Sequence, residues 1–338
     1  MGELLVDFIS STRGKAEWLA PVGGPNPAPA GDAVSFIPSV GGAPANVAAG
    51  LARLGKDVGL IGMVGDDPFG HGLAAALAGM GIDTRAVSFC DRARTMLAFV
   101  TRSEAGERDF VFFRHPSADM LITPGDIPKD YLSGASFFHF GSISLIAEPS
   151  RTTTLNLVDT AKEAGAVISF DPNIRLPLFD DDAAARRTIL EVIPRVDILK
   201  LSEEEAAFLT GQKAPKAAAL TLLSMGPGLV AVTLGSKGSV AVTVRYAVEV
   251  DGWEVRAADT TGAGDAFCAA MLAAYSETNA REPAFLTDLD LIRIFKRANA
   301  AGAIAVTRAG AIAALPTAGD IDLFISARKE IRSSGTLQ

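Results

Sequence analysis

The chain has 338 residues, 49% hydrophobic and 21% charged, enough for one large α/β unit or two ordinary domains with an ample core. Its formal net charge of −8 excludes a nucleic-acid surface, which needs clustered Lys and Arg, so any anion must be met by helix N-termini, metal ions or single arginines. Two cysteines, Cys90 and Cys268, give neither a disulfide framework nor metal-ligand spacing, and no apolar run approaches membrane-spanning length. Glu3 and Asp7 interrupt any secretory signal. The expectation is a soluble protein of a reducing, cytoplasmic compartment, with no nucleic-acid or membrane partner.

Residues 13–40 are rich in Pro and Gly and lack helical periodicity. Gly41-Gly42-Ala-Pro-Ala-Asn46 then opens a helix carried by Val47, Ala48, Leu51, Ala52 and Leu54 and ended by Gly55. Val58–Val64 predicts a strand and Gly70–Met80 a helix. Residues 93–114 hold two β-runs, Met96–Thr101 and Asp109–Phe113, around a Glu-Ala-Gly-Glu turn. With nothing helical to cover it, this stretch and the Pro/Gly-rich one predict a small β flap, serving either to exclude water or to join two copies of the chain.

Strands and helices then alternate: Phe137–Phe140, Thr152–Ala164, Val167–Asp171, Ala183–Ile193, Ile198–Leu201, Glu203–Thr210 and Val230–Leu234. Such alternation predicts crossover units and a mainly parallel sheet covered on both faces, with ligands outside the carboxyl ends of its strands. His139, inside Phe-Phe-His-Phe, is expected to be a satisfied core histidine.

Asp259-Thr-Thr-Gly-Ala-Gly-Asp265-Ala-Phe267 is the most informative segment. Downstream, Phe267, Ala270, Met271 and Ala274 have helical spacing, while upstream Asp251-Gly252 reads as a hairpin turn between Val248, Val250 and Val255. Gly262 to Asp265 therefore fall at a strand-to-helix junction. The unpaired N–H groups and dipole there favour an anion beside a carboxylate able to take a proton. A plain glycine-rich helix cap is the alternative.

Other segments are weaker. Gly41-Gly42 permits close backbone approach to a ligand, and Asn46 offers both a donor and an acceptor. Thr233-Leu-Gly235-Ser-Lys-Gly238 is either a nucleotide loop or an ordinary hairpin. Ser202-Glu-Glu-Glu205 is a good helix cap whose acids could also hold hydrated Mg²⁺. Gly50-Leu-Ala-Arg-Leu-Gly55-Lys56 has P-loop spacing, but Asp57 stands where Ser or Thr belongs and the segment ends a helix instead of opening one.

Together, Gly41–Asn46 and Asp259–Phe267 resemble the two signature segments of the ribokinase-like sugar kinases, the PfkB family. Within it the chain is most similar to fructokinases, through Gly2-Glu-Leu-Leu-Val-Asp7-Phe, Phe113-Arg114-His-Pro-Ser-Ala-Asp119-Met and Asp171-Pro-Asn-Ile-Arg175-Leu-Pro-Leu. The resemblance implies a three-layer α/β/α fold over 1–338, with a mainly parallel central sheet and a β-sheet lid from about 10–40 and 93–115. It implies ATP-dependent phosphorylation of a sugar, O6 of fructose above ribose or 2-keto-3-deoxygluconate, with Mg²⁺ and K⁺. Asp265 would be the base, and the N–H groups of Gly262, Ala263 and Gly264 the anion hole.

By the same resemblance, Asp7, Gly41, Gly42 and Asn46 would bind the sugar, with Arg114 and Arg175 as further contacts. Thr233, Gly235, Gly238 and Asn299 would bind the nucleotide. Glu205 would be linked to Mg²⁺, although Ser202 replaces the Asn of that element, and Asp259 with the Thr261 backbone would hold a monovalent cation. A homodimer through the lid is a further implication. Relatives carry several more apolar residues ahead of the position of Met1-Gly2, so the first strand is expected to be short and the edge beside Asp7 less firmly held. A binding or scaffold protein that has lost activity is the rival of a different class, and the intact Gly262–Asp265 element argues against it. A dinucleotide-dependent oxidoreductase fails because no G-x-G-x-x-G follows the first strand.

Overall fold

The computed structural model describes residues 1–10, 35–102 and 108–328. The chain opens with β1 (Leu5–Ser10), β2 (Phe36–Gly41), α1 (Ala43–Arg53), β3 (Gly59–Gly65) and α2 (Pro68–Ala78). Next come β4 (Asp83–Cys90), β5 (Met96–Arg102), β6 (Arg108–Phe113), β7 (Phe137–Phe140) and α3 (Ser150–Glu163). After β8 (Val167–Phe170), α4 (Asp182–Val192) and β9 (Ile198–Ser202) follow α5 (Glu203–Thr210) and α6 (Pro215–Leu223). The remainder is β10 (Leu229–Thr233), β11 (Gly238–Thr243), β12 (Ala247–Asp251), α7 (Ala263–Tyr275), α8 (Asp288–Ala305) and α9 (Ala318–Ser326).

Three sheets result, ordered β12-β11-β10-β9-β8-β7, β3-β4 and β2-β1-β5-β6. Strands β7 to β10 run parallel, and β3 is parallel to β4. Side chains alternate across each strand, which sorts them into two cores. Leu199, Leu201, Val230 and Val232 face the layer of α3 to α6, where Phe140 and Phe170 are fully buried. Ile198, Leu229 and Ala231 face α1, α7 and α8, with Phe295 at the centre. Each such large side chain contributes roughly 1.5–3 kcal/mol. This is the expected α/β/α arrangement.

Two details differ from the sequence expectations. β1 belongs to the flap sheet, paired with β2 and β5. Residues 11–34, the rest of the Pro/Gly-rich stretch, lie outside the described residues. Asp251-Gly252 is not a hairpin turn: β12 ends there because Gly252 is held under the β10–β11 turn, its N–H donating to Lys237 O at 3.0 Å. The hairpin turn lies at Thr243–Tyr246, where Thr243 Oγ1 accepts from Tyr246 N at 3.1 Å. No helix among the described residues is long and apolar enough to cross a membrane.

Asp67 caps α2 and ties it to the start of β5. Its carboxylate accepts from Gly70 N at 2.9 Å, Thr95 N at 2.9 Å and Thr95 Oγ1 at 2.8 Å. Partial burial would push its pKa up, but these bonds outweigh that and hold it below the usual aspartate value. We expect Asp67→Ala to cost roughly 1–3 kcal/mol in urea unfolding at neutral pH. A carboxylate with a lowered folded pKa stabilises above its unfolded value, so the gap between parent and variant should close as pH falls below the ordinary aspartate range.

Candidate functional site

A pocket of about 200 Å³ opens where the flap sheet meets the carboxyl end of the six-stranded sheet. Asp7 from the flap, Gly42 and Asn46 from the start of α1, Arg175 after β8, and Gly262 and Asp265 at the start of α7 all line it. These come from four separate stretches of chain. Thr261 and Gly264 are also at the wall, and the flap adds Leu5, Phe110 and Phe112.

α7 starts on Gly262, whose φ of 74° is left-handed and whose cap carries no side-chain hydrogen bond. Only glycine holds that turn without strain, and the first turn keeps its N–H groups for a ligand. Asp265, in that turn, is buried and accepts from Asn46 Nδ2 at 2.8 Å. Burial raises its pKa above the usual value; the Asn46 bond and the charges of Lys200 and Arg175 pull the other way. Asn46 Oδ1 is buried with no partner among the described residues. Across the pocket, a Cβ on Gly41 would lie 2.3 Å from Asp7 Oδ2, so position 41 must be glycine for that carboxylate to sit where it does.

Beneath α7, Lys200 Nζ donates to Asp171 Oδ2 at 2.7 Å, and both groups are buried. Burial works against the Lys200 charge, but Asp171 and Glu205 outweigh it and raise its pKa. Burial, with Glu205 and Asp265 nearby, pushes Asp171 up to about 6, leaving it ionised at neutral pH. Three carboxylates therefore share one ammonium. Asp171 Oδ1 has no partner among the described residues.

Glu205 forms a reciprocal cap with Ser202 at the start of α5: its Oε2 accepts from Ser202 N at 2.8 Å and its Oε1 from Ile174 N at 2.6 Å. Asp259 Oδ1 accepts from Thr261 N at 2.9 Å, and Oδ2 from Gly310 N at 3.1 Å, closing the loop ahead of α7. Thr233 ends β10, and Gly235 and Gly238 form the β10–β11 turn, so the hairpin alternative holds geometrically. Asn299, on α8, donates to Val250 O at 3.0 Å and Asp251 O at 3.2 Å, tying that helix to β12.

Arg114 is placed differently from its expected role. It is 1% exposed, paired with Asp119 at 2.9 Å, and donates to Ile143 O at 3.0 Å. It supports the wall at Ile143 and is not itself a lining residue. His139 is a core histidine as expected, its Nδ1 lying 3.0 Å from Ser169 Oγ and its pKa lowered to about 3 by burial.

The carboxylate, glycine turn and paired asparagine stand together at one pocket wall, and the profile of the pfkB family carbohydrate kinases matches residues 5–318. The chain belongs to the PfkB family. Among relatives of this kinase, "Probable fructokinase-4" of Arabidopsis thaliana is 43% identical over 95% of the chain and 94% of the relative. The fructokinase of Vibrio cholerae O395, solved with fructose, ADP and calcium ion, superposes with a TM-score of 0.81 at 32% identity, covering 96% of both chains. The fructokinase of Xylella fastidiosa with bound ATP gives 0.83 at 31% identity, covering 96% of this chain and 97% of that one. The fold is therefore the ribokinase-like one.

Sequence reasoning missed Glu3 and Lys200. Each is a single charge beside or within an apolar run, Glu3 just ahead of Leu4–Val6 and Lys200 inside Ile198–Leu201. On a strand buried on both faces, such a charge needs a partner, and that was the available signal. Glu3 is buried, accepts from Ala43 N at 3.0 Å at the start of α1, and is pushed by burial up to about 7. We expect Lys200→Met to cost about 3–5 kcal/mol in urea unfolding, because Asp171 is left charged and buried. Adding Asp171→Asn should recover part of that loss, since the stranded charge is gone.

Proposed function

We propose that this PfkB-family kinase transfers the γ-phosphoryl group of ATP to the 6-hydroxyl of fructose, giving fructose 6-phosphate and ADP. The observation that carries the reading is Asp265. It is a buried carboxylate in the first turn of a helix whose glycine cap leaves the N–H groups open, on the wall of a pocket of about 200 Å³.

In this scheme the sugar lies between Asp7, Gly42 and Asn46, with Arg175 at the rim. Its hydroxyl donates to Asp265, which takes the proton as the oxygen attacks phosphorus. Charge developing on the phosphoryl oxygens meets the N–H groups of Gly262, Ala263 and Gly264 and the α7 dipole. Little covalent chemistry falls to the protein in such a transfer. Rate comes from alignment and from charge stabilisation. Phe110 and Phe112 of the flap, taken as the lid of one kinase unit, keep water from the phosphoryl group.

The nucleotide fits beside the β10–β11 turn, with Thr233, Gly235 and Gly238 at its phosphates and Asn299 near its base. Among the described residues no group of three or more His, Cys, Asp and Glu side chains is placed to hold a metal by itself, so a divalent cation would come with the nucleotide phosphates, near Glu205 and the unpartnered Oδ1 of Asp171. Bound Mg²⁺ would supply the charge that brings β- and γ-phosphates together. Asp259 and the Thr261 backbone fit a monovalent cation that stiffens the loop ahead of α7. The flap leaves Ile37, Val111 and Phe113 between 47% and 62% exposed, which suits a homodimer joined through the lid.

ADP release with ATP, Mg²⁺ and K⁺ should be strongest with fructose among fructose, ribose, 2-keto-3-deoxygluconate, adenosine and no sugar. No turnover with any of them, with ATP still bound, would overturn the fructose assignment and leave an untested sugar or a non-catalytic scaffold as the leading reading. Asp265→Asn should keep nucleotide binding while kcat falls ~10²–10³-fold or more; activity within tenfold of the parent would remove the base assignment. The base must be ionised, and its pKa is raised, so kcat/KM should fall as pH drops through a value above the usual aspartate range. Asn46→Ala removes a bond that favours the carboxylate and should move that limb to higher pH. Replacing K⁺ with a bulky organic cation should slow turnover.

A further inference from the structure

Asn173 is the one non-glycine residue with a left-handed backbone among the described residues, its φ at 45°. Asparagine bears that conformation better than most side chains, and a residue kept there beside a pocket is held by its surroundings. Its loop leaves the end of β8 and is gripped on both flanks. Asp171 pairs with Lys200 at 2.7 Å, and Ile174 N donates to Glu205 Oε1 at 2.6 Å. Asn173 and Arg175 both line the pocket, yet Asn173 has no part in the transfer described above.

The turn sends the Asn173 amide to Arg175. Its Oδ1 accepts from Arg175 Nη1 at 2.7 Å, and the same nitrogen donates to Asn173 O and Ile174 O, each at 3.3 Å. One corner of the guanidinium is thereby spent on its own loop. Nε and Nη2 have no hydrogen-bond partner among the described residues, and they make up the remaining edge of a planar donor fork. The guanidinium carbon lies 5.6 Å from the centre of the Phe110 ring on the flap, which fixes the plane from a second side.

We propose that Asn173 is the positioning residue of Arg175: its amide sets the guanidinium so that the Nε–Nη2 edge meets sugar oxygens at the pocket rim. A free arginine gives up rotamer freedom when it binds; Asn173 moves that loss into folding, before the sugar arrives. Two parallel donors suit a pair of neighbouring hydroxyl oxygens. A contact made before chemistry shows in KM and leaves kcat alone. The choice of sugar rests on the fructose reading, whereas the Asn173–Arg175 bond stands on its own.

Two variants separate the amide from the turn. Asn173→Gly keeps the left-handed backbone and loses the amide, while Asn173→Asp tolerates the same turn and keeps an acceptor for Nη1. In fructose phosphorylation, Asn173→Gly should raise KM for fructose about fivefold or more with kcat within about threefold of the parent. Asn173→Asp should restore KM to within about threefold of the parent, and KM for ATP should not move in either. A residue serving the turn alone would leave Asn173→Gly equal to the parent. A smaller rise in KM, an Asp variant as impaired as the Gly one, or a loss confined to kcat would each overturn the assignment.

Thermal unfolding keeps this result apart from the fate of the fructose reading. If the parent itself turns over no fructose, that reading falls, and a double-variant cycle of Asn173→Gly with Arg175→Met decides the positioning. The Tm changes of the two single variants should then fail to add in the double variant by about 1 °C or more, because the two side chains act as a unit. Additive changes would sink the idea.

Discussion

Lys200 carries the electrostatics of the pocket. It stands on β9 where every neighbour along the strand is apolar, and alternation turns it toward α7 rather than toward α5. Its ammonium lies 3.1 Å from the place a Cβ would take on Gly264, so the helix bearing Asp265 rests almost on the charge. Remove that charge and Asp171, Glu205 and Asp265 repel one another in a dry environment. A side chain at position 264 would therefore press on the ammonium from above. Chemistry and folding meet at one contact.

The site follows from how the layers are built. α1 and α7 lie on the same face of the sheets, and their first turns converge at the pocket. Asn46 and Asp265 join across that convergence with a 219-residue separation in sequence. The flap then supplies Asp7 from a strand that pairs with β5, in a sheet separate from the helix α7 that carries Asp265. Closing the flap would bring two independently built walls together.

Much of this was legible in the sequence, for physical reasons. Gly262, Gly264 and Asp265 are readable because a left-handed cap and an open helix start demand those residue types at that spacing. The strands β7 and β9 and the helix α5 were readable to within a residue from unbroken apolar runs and the Ser202–Glu205 cap. Asp251-Gly252 misled because turn residues also serve where a backbone is gripped from above, here by Lys237 O. Arg114 was illegible in another sense. Its neighbours in sequence suggest a ligand, but its ion pair is with Asp119 five residues on, formed only once β6 ends against Ile143. Asn299 shows the same limit, since no local pattern reveals a bond to β12. Lone charges in apolar runs were the one signal present and not used.

The Asn46 bond to Asp265 has a consequence for economy of ATP. A kinase with a waiting nucleotide must avoid spending it on water. Here the carboxylate is gripped by an amide whose other end, Oδ1, has no partner among the described residues. The amide is therefore held from the carboxylate side alone. A sugar hydroxyl donating to Oδ1 would pin the amide from both ends and fix the carboxylate in line. On the reading proposed above, an acceptor hydroxyl at Asn46 Oδ1 would hold the same side chain that orients Asp265.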